Sequence, residues 1–238
     1  MRKSLVDAVE SGDLSEISRV LKGVASSALN VSGEPLVYRL RSTIVISLLV
    51  KAGAPIDQLS LAGQTLLEHL LWLSDERRFS RLALIQLVGP RVKNIDQSNA
   101  DDLTPLYIAC GLLDFSAVKL LCDLGADVNR RCGAAGQSPF SRAVSSPTQS
   151  SRQVEIVGYL IANGAEIDCF EKKLGWTPLM AAVFLNDLSV VKVLITGGAD
   201  HKLVSLGLND YPKETAIEIA RRMRYENMVA YLENDVRR

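Results

Sequence analysis

Three times in this chain a hydroxyl residue, a proline and an apolar residue open a run of helix formers: "LTPLYIA" from Leu103, "QSPFSRA" from Gln137 and "WTPLMAA" from Trp176. The hydroxyl residues are 34 and 39 positions apart, the spacing at which stacked-repeat proteins recur. A hydroxyl side chain can cap a helix, and proline fits its first turn. A second landmark keeps step with the first. "LLCDLGADVN", "YLIANGAEID" and "VLITGGADHK" each close a Leu/Val/Ile-rich segment on a Gly-Ala-acid trio at Gly125, Gly164 and Gly198. Thr104 precedes Gly125 by 21 residues and Thr177 precedes Gly198 by 21, so the unit has a fixed internal length. Glycine in the left-handed conformation is the expected terminator of the second helix of each unit.

Composition agrees with short, tightly packed helices. The 238 residues are 47% hydrophobic but only 5% aromatic, so the core is built from Leu, Val, Ile and Ala. Lys and Arg total 27 and so do Asp and Glu, which leaves no net field to draw in nucleic acid or an anionic membrane. Asp7, Glu10 and Asp13 interrupt any leader-like apolar run, and no stretch approaches the ~18 uninterrupted apolar residues of a membrane helix. Cys110, Cys122, Cys132 and Cys169 form no C-x-x-C pair and have no histidine at ligand spacing. Cys132 and Cys169 fall on neighbouring loops, but without an export signal free thiols and a cytoplasmic location are expected.

With both landmarks placed, the unit closely resembles the ankyrin repeat, whose pattern is Gly-x-Thr-Pro-Leu-His-x-Ala-Ala, a Val-Val-x-Leu-Leu-Leu helix, and Gly-Ala-Asp-x-Asn. "DLTPLYIACGLLDFSAVKLLCDLGADVN" from Asp102 and "GWTPLMAAVFLNDLSVVKVLITGGAD" from Gly175 follow it at the right spacing. Weaker copies extend it. "AGQTLLEHLLW" from Ala62 keeps Thr65 and Leu67, and "LLVKAGAPID" from Leu48 keeps the Gly-Ala ending of the copy before. "LVDAVESGDLSEISRVL", with Gly12-Asp13 between its helices, resembles an N-terminal cap, and "ETAIEIARRMRYENMVAYL" a C-terminal one. The expected fold is an all-α repeat solenoid of stacked helix-turn-helix units with β-hairpin or loop fingers. It forms a single domain over 1–238, with repeats at about 1–31 (cap), 32–61, 62–100, 101–134, 135–173, 174–211 and 212–238 (cap). Caps are required because inner repeats are apolar on both neighbouring sides.

The sequence also departs from the pattern. The usual His is replaced by Tyr107, Ser141, Met180 and Glu218, so its hydrogen bonds to the loop must be made otherwise or not at all, and looser loops are expected. Extra polar residues separate the two helices around Ser74 to Arg81 and at Ser145 to Arg152. Ser138 to Gly164 spans 26 residues instead of 21, and both insertions read as exposed loops.

No constellation for catalysis stands out. His69 and His201 are the only histidines, and neither has a partner at a useful spacing. His69 sits beside Leu67 and Leu70 and reads as a partly buried structural side chain. Nucleophile elbows, phosphate loops and His-x-x-x-His pairs are absent. Asp101-Asp102 reads as part of a hairpin turn, because a metal would need several more convergent oxygens. The expectation is a non-enzymatic chain without cofactor or metal, since function must be argued from a site.

The resemblance implies that partners bind along a concave face lined by fingers and first helices. Counting from each helix-capping hydroxyl, the exposed positions there include Leu61, Trp72, Leu73, Leu103, Leu112, Leu174, Trp176, Phe184, Leu185, Tyr211 and Arg222. Apolar residues contiguous on a soluble surface mark binding sites, and Trp, Tyr and Arg are frequent anchors. Against this stands internal packing: Trp72 and Leu73 under the longer inter-helix loop, and Trp176 over the base of its finger. The leading expectation is a protein–protein interaction module, monomeric when free, with a folded protein as partner and with neither nucleic acid nor membrane. A steric neutraliser, of the immunity or antitoxin kind or a host-directed effector, is a sharper form drawn by analogy with short chains of this type. A self-assembly module is the alternative that light scattering separates.

Overall fold

The computed structural model describes residues 8, 14–21, 29–31, 33–73, 81–209 and 211–236. The Gly12-Asp13 turn of the N-terminal cap and most of the Ser74 to Arg81 segment lie outside them. The chain divides into two compact units, one comprising residues 1–105 and 123–125, the other 106–122 and 126–238.

The first unit holds α1 (Leu14–Leu21), the two-residue strands β1 (Asn30–Val31) and β2 (Glu34–Pro35), a 3-10 turn (Leu36–Arg39), α2 (Thr43–Lys51), α3 (Leu66–Leu71) and α4 (Arg81–Val88). β1 and β2 pair antiparallel, Val31 opposite Glu34. α4 packs on α2 and α3, burying Ile46, Leu49, Leu70, Leu84 and Ile85. His69 is a structural side chain: Nε2 meets the Leu40 carbonyl at 3.0 Å and the ring lies edge-on to Tyr38.

The second unit contains all but an end residue of α5 (Pro105–Gly111) and of α6 (Phe115–Asp123), and the whole of α7 (Pro139–Val144), α8 (Ser151–Ala162), α9 (Pro178–Phe184), α10 (Leu188–Thr196), α11 (Ala216–Arg222) and α12 (Glu226–Val236). Helices pair within a repeat, α7 with α8, α9 with α10 and α11 with α12. They also stack between repeats, α9 against α7 and α11, and α10 against α8. The result is two helical layers, first helices in one and second helices in the other, as an all-α repeat solenoid requires. Phe140, Val144, Leu160, Leu179, Val191, Leu194 and Ile219 fill the space between them.

The repeated sequence landmarks do the local work assigned to them. Thr65, Ser138, Thr177 and Thr215 each cap their helix, the hydroxyl accepting from the backbone N–H three residues on. Gly125, Gly164 and Gly198 have φ of 90°, 83° and 97°, the left-handed region that terminates a helix at little cost only for glycine. Where the family pattern has His, other atoms serve. Met180 Sδ accepts from Thr177 N–H at 3.4 Å, and Glu218 Oε2 from Thr215 N–H at 2.8 Å. Tyr107 OH donates to Gln137 Oε1 at 3.2 Å, and Ser141 Oγ lies 3.3 Å from Cys169 Sγ.

The inter-helix insertion at Ser145 to Arg152 is only partly the exposed loop its composition suggests. Pro147, Thr148 and Gln149 are exposed, but Ser146 and Gln153 are buried. Gln153 Nε2 donates to the carbonyls of Val144 and Ser146, which ties the loop down from inside. The remaining extra residues lengthen α8 to 12 residues, against nine in α6 and α10, with Ser150 as its cap.

Candidate functional site

Fingers connect the repeats, and each is closed by the residue just before the capping hydroxyl. Gln64, Leu103, Gln137, Trp176 and Glu214 each accept at their carbonyl from the opposite limb, from Ser60, Asn99, Cys132, Glu171 and Ser205 N–H. Successive fingers are then joined by one backbone bond: Ala100 N–H to Gly63 O, Lys172 N–H to Ala135 O, Leu206 N–H to Gly175 O. A second tie runs through the loops after the second helices. Asn129 donates to Gly164 O at 3.0 Å and accepts from Glu166 N–H at 2.8 Å, and Asp168 accepts from Asp200 N–H at 3.0 Å. These ties hold the finger row and the first-helix layer in fixed register within each unit.

In the second unit a recess of about 340 Å³ opens between the fingers and the first helices α7 and α9. Leu174, Trp176, Phe184, Leu185 and Tyr211 form much of its wall, with Gln137, Ser145, Glu171 and Lys173 as polar neighbours and the small Ala181 leaving room at the base. Trp176 is the keystone. Its ring centroid lies 5.0 Å from Phe184 and 5.3 Å from Tyr211, an aromatic cluster of the tilted and edge-on kind. Glu171 stands at the closing pair of its finger, its N–H on the Trp176 carbonyl and its Oε1 accepting from Leu174 N–H at 2.7 Å. Burial pushes its carboxyl up from the ordinary value, and the Leu174 N–H bond and Lys173 pull it back.

The exposure expected from counting holds at some positions and fails at two. Trp176 is only 4% exposed and Leu73 only 8%, so neither stands free on the surface. Trp176 is covered because Phe184 and Tyr211 close over its indole, and Leu73 follows α3 into the core of the first unit. Tyr211 is 37% exposed, and Leu174, Phe184 and Leu185 are half-buried. Leu112 is exposed but does not line the recess. Arg222 is engaged in an ion pair, Nε to Glu214 Oε1 at 2.9 Å. In the first unit Trp72 is 61% and Leu61 72% exposed, while Leu103 is half-buried. Trp72 and Leu73 line a separate recess with Arg41, Gln64 and His69. Counting from the cap misses Glu171, because the finger hairpin folds it back toward the recess from outside the fixed offsets.

Among the described residues no three His, Cys, Asp or Glu side chains converge as metal ligands. No helix there is long and apolar enough to cross a membrane. The four cysteines are free thiols, Cys110, Cys132 and Cys169 buried and Cys122 half-buried.

Comparison with known proteins agrees with the repeat architecture. The family model described as ankyrin repeats (3 copies) matches residues 78–171 and 148–237. The chain is 29% identical over 198 residues to the mouse B-cell lymphoma 3 protein homolog, covering 82% of this chain and 41% of that protein. It is 29% identical over 157 residues to the chicken nuclear factor NF-kappa-B p105 subunit, 66% of this chain and 15% of that one. It is 26% identical over 162 residues to the putative ankyrin repeat protein YahD of Escherichia coli, 65% of this chain and 74% of that one. The chain thus spans less than half the length of the mouse relative and a small part of the chicken one. Ankyrin repeats generally mediate protein–protein interaction and are typically non-catalytic. Matched family model, capping hydroxyls and left-handed terminal glycines agree: this chain belongs to the ankyrin-repeat family.

Proposed function

We propose that the chain is a non-catalytic binding module that seats a folded protein partner in the recess of the second unit, between its fingers and first helices. The observation that carries this reading is the uncovered apolar wall formed by Leu174, Phe184, Leu185 and Tyr211 over a buried Trp176. Large side chains held rigidly and left partly open to water are what a partner can desolvate at little ordering cost. The backbone ties between fingers support a preformed surface that changes little on binding. Balanced charge, 27 basic against 27 acidic residues, favours a protein over nucleic acid. Free thiols fit a cytoplasmic setting.

The test is a pull-down from the native source with the full chain, repeated with Phe184→Ala and Leu185→Ala. A partner retained by the native chain and lost by both variants, each still folded and melting cooperatively above the temperature of the experiment, supports the recess as the binding face. Retention by both variants refutes it. Light scattering on the free chain addresses self-assembly: a monomer at tens of micromolar is expected, and a stable oligomer would favour the structural alternative.

A further inference from the structure

The recess has a chemical preference beyond being apolar. Glu171 spends one carboxylate oxygen on Leu174 N–H, and among the described residues no cation lies within ion-pair distance of it. Beside it the Trp176, Phe184 and Tyr211 rings form one cluster. Ser145 at the C-cap of α7 adds a hydroxyl to the same lining. A half-buried carboxylate, aromatic surface and a further oxygen acceptor together suit a flat cation with several donors and an apolar stem.

We propose, building on the recess as the binding face, that it receives an arginine side chain presented by the partner protein. The guanidinium pairs with the uncommitted oxygen of Glu171 and bonds Ser145 Oγ, and its methylene stem lies against Phe184 and Tyr211. Lysine fits less well, since a compact, strongly hydrated ammonium lacks the planar face that lies flat on a ring and the rigid fork of donors that guanidinium presents. Lys173 stands on the same rim and is exposed; it opposes an incoming cation and therefore sets the sign of one arm of the test.

The probe is N-acetyl-arginine amide, with the lysine and glutamate amides as comparisons, titrated into the full chain carrying Trp72→Phe so that Trp176 is the only tryptophan. The readout is the Trp176 indole N–H resonance. Saturable shifts with the arginine amide at millimolar concentration are expected, because a single side chain contributes only a fraction of an interface. Glu171→Gln keeps an acceptor for Leu174 N–H and removes only the charge; it should weaken the arginine amide by about fivefold, the loss expected of a charge-assisted bond. Lys173→Ala should strengthen it. The inference is overturned if the glutamate or lysine amide binds as tightly as arginine, if none of the three shifts the resonance, or if Glu171→Gln leaves the arginine affinity unchanged. Should the native partner be lost with Phe184→Ala yet kept with Glu171→Gln, the recess stands as the binding face and the arginine assignment alone falls.

Discussion

Gly175 lies so close to the next finger that a β-carbon on it would sit 2.6 Å from Leu206 Cβ, and Gly63 meets Ala100 Cβ at 2.4 Å in the same way. Both residues have left-handed φ, 66° and 77°, and both precede their capping threonine by two positions. Conformation and space therefore demand glycine together. At Gly125, Gly164 and Gly198 only the conformation does, since nothing lies within 4 Å of an added β-carbon. Gly164→Ala should accordingly cost about 1 kcal/mol from left-handed strain alone, and Gly175→Ala more, because a finger must also move. Gly111→Ala, inside α5 with ordinary φ and only the flexible Arg142 guanidinium at 3.0 Å, should be close to neutral. Urea denaturation of the three variants gives the ranking; equal shifts would contradict the distinction.

The burial of Trp176 separates stability from binding at the recess. Trp176→Ala removes a ring that Phe184 and Tyr211 cover, so it should destabilise by about 3 kcal/mol or more, the range of large-to-small core changes. It therefore cannot serve as a clean interface probe. Phe184→Ala and Leu185→Ala, at half-buried positions, should lower the melting temperature less while weakening partner binding by about 2 kcal/mol, as interface anchors do. Trp72→Ala, largely exposed, should stay within about 0.5 kcal/mol in stability. Thermal melts alongside titration calorimetry with the captured partner check the whole set.

The capping residues and terminal glycines were legible in the sequence because each depends on local backbone chemistry at a fixed offset. The hydroxyl at Thr177 caps whatever its neighbours do, and Gly198 ends α10 for reasons internal to the helix. Exposure at the site was less legible because it depends on what lies across the space. Counting places Trp176 on the open face, but its cover comes from Phe184 at the end of α9 and from Tyr211, 35 positions on in the next finger. Glu171 was missed for the converse reason. Nothing in an isolated "FEKKLGW" shows that the hairpin will bring Glu171 into the lining of the recess, with its carboxylate turned onto Leu174 N–H.

Asn129 provides a test of coupling between repeats. It bridges to the next repeat with two bonds, to Gly164 O and from Glu166 N–H, both exposed and so of ordinary strength. Asn129→Ala should cost about 1 to 2 kcal/mol, the sum of two such bonds at the usual net value. Faster hydrogen exchange at the Glu166 amide should accompany it. Loss of stability without that local change would place the effect elsewhere.

The thiols should separate by burial. Cys110 is fully enclosed and its thiol is pushed well up by that burial, which leaves little thiolate at neutral pH. Cys132 and Cys169 are also buried, and Cys122 is the half-buried one. Alkylation of the native chain at neutral pH should label Cys122 first, and all four sites only in denaturant, as read by intact mass and peptide mapping. Early labelling of Cys110 would show that its repeat opens locally.

Two glutamates should respond to pH with opposite signs. Glu218 bonds Thr215 N–H and its hydroxyl, which holds its carboxyl below the ordinary value of 4.5. Folding therefore favours the ionised form: the contribution is present above 4.5 and is lost as pH falls through the lowered folded value. Glu171 is the reverse. Burial raises its carboxyl above 4.5, so folding favours the protonated form, with stability fullest below 4.5 and lost as pH rises through the raised folded value. Glu218→Gln should thus lower the melting temperature at pH 7, and the difference should close as the medium is acidified past the lowered value. Glu171→Gln should leave the melting temperature at pH 7 unchanged or slightly raised, by an amount that solvent screening of a half-buried group keeps small, and this too should vanish below 4.5. Melting curves of both variants and the parent between pH 3 and 7 decide the matter. A Glu171→Gln chain that melts well below the parent at pH 7 would mean that the Glu171 charge already has a stabilising partner within the protein, and the recess would then have no acceptor to offer an incoming cation.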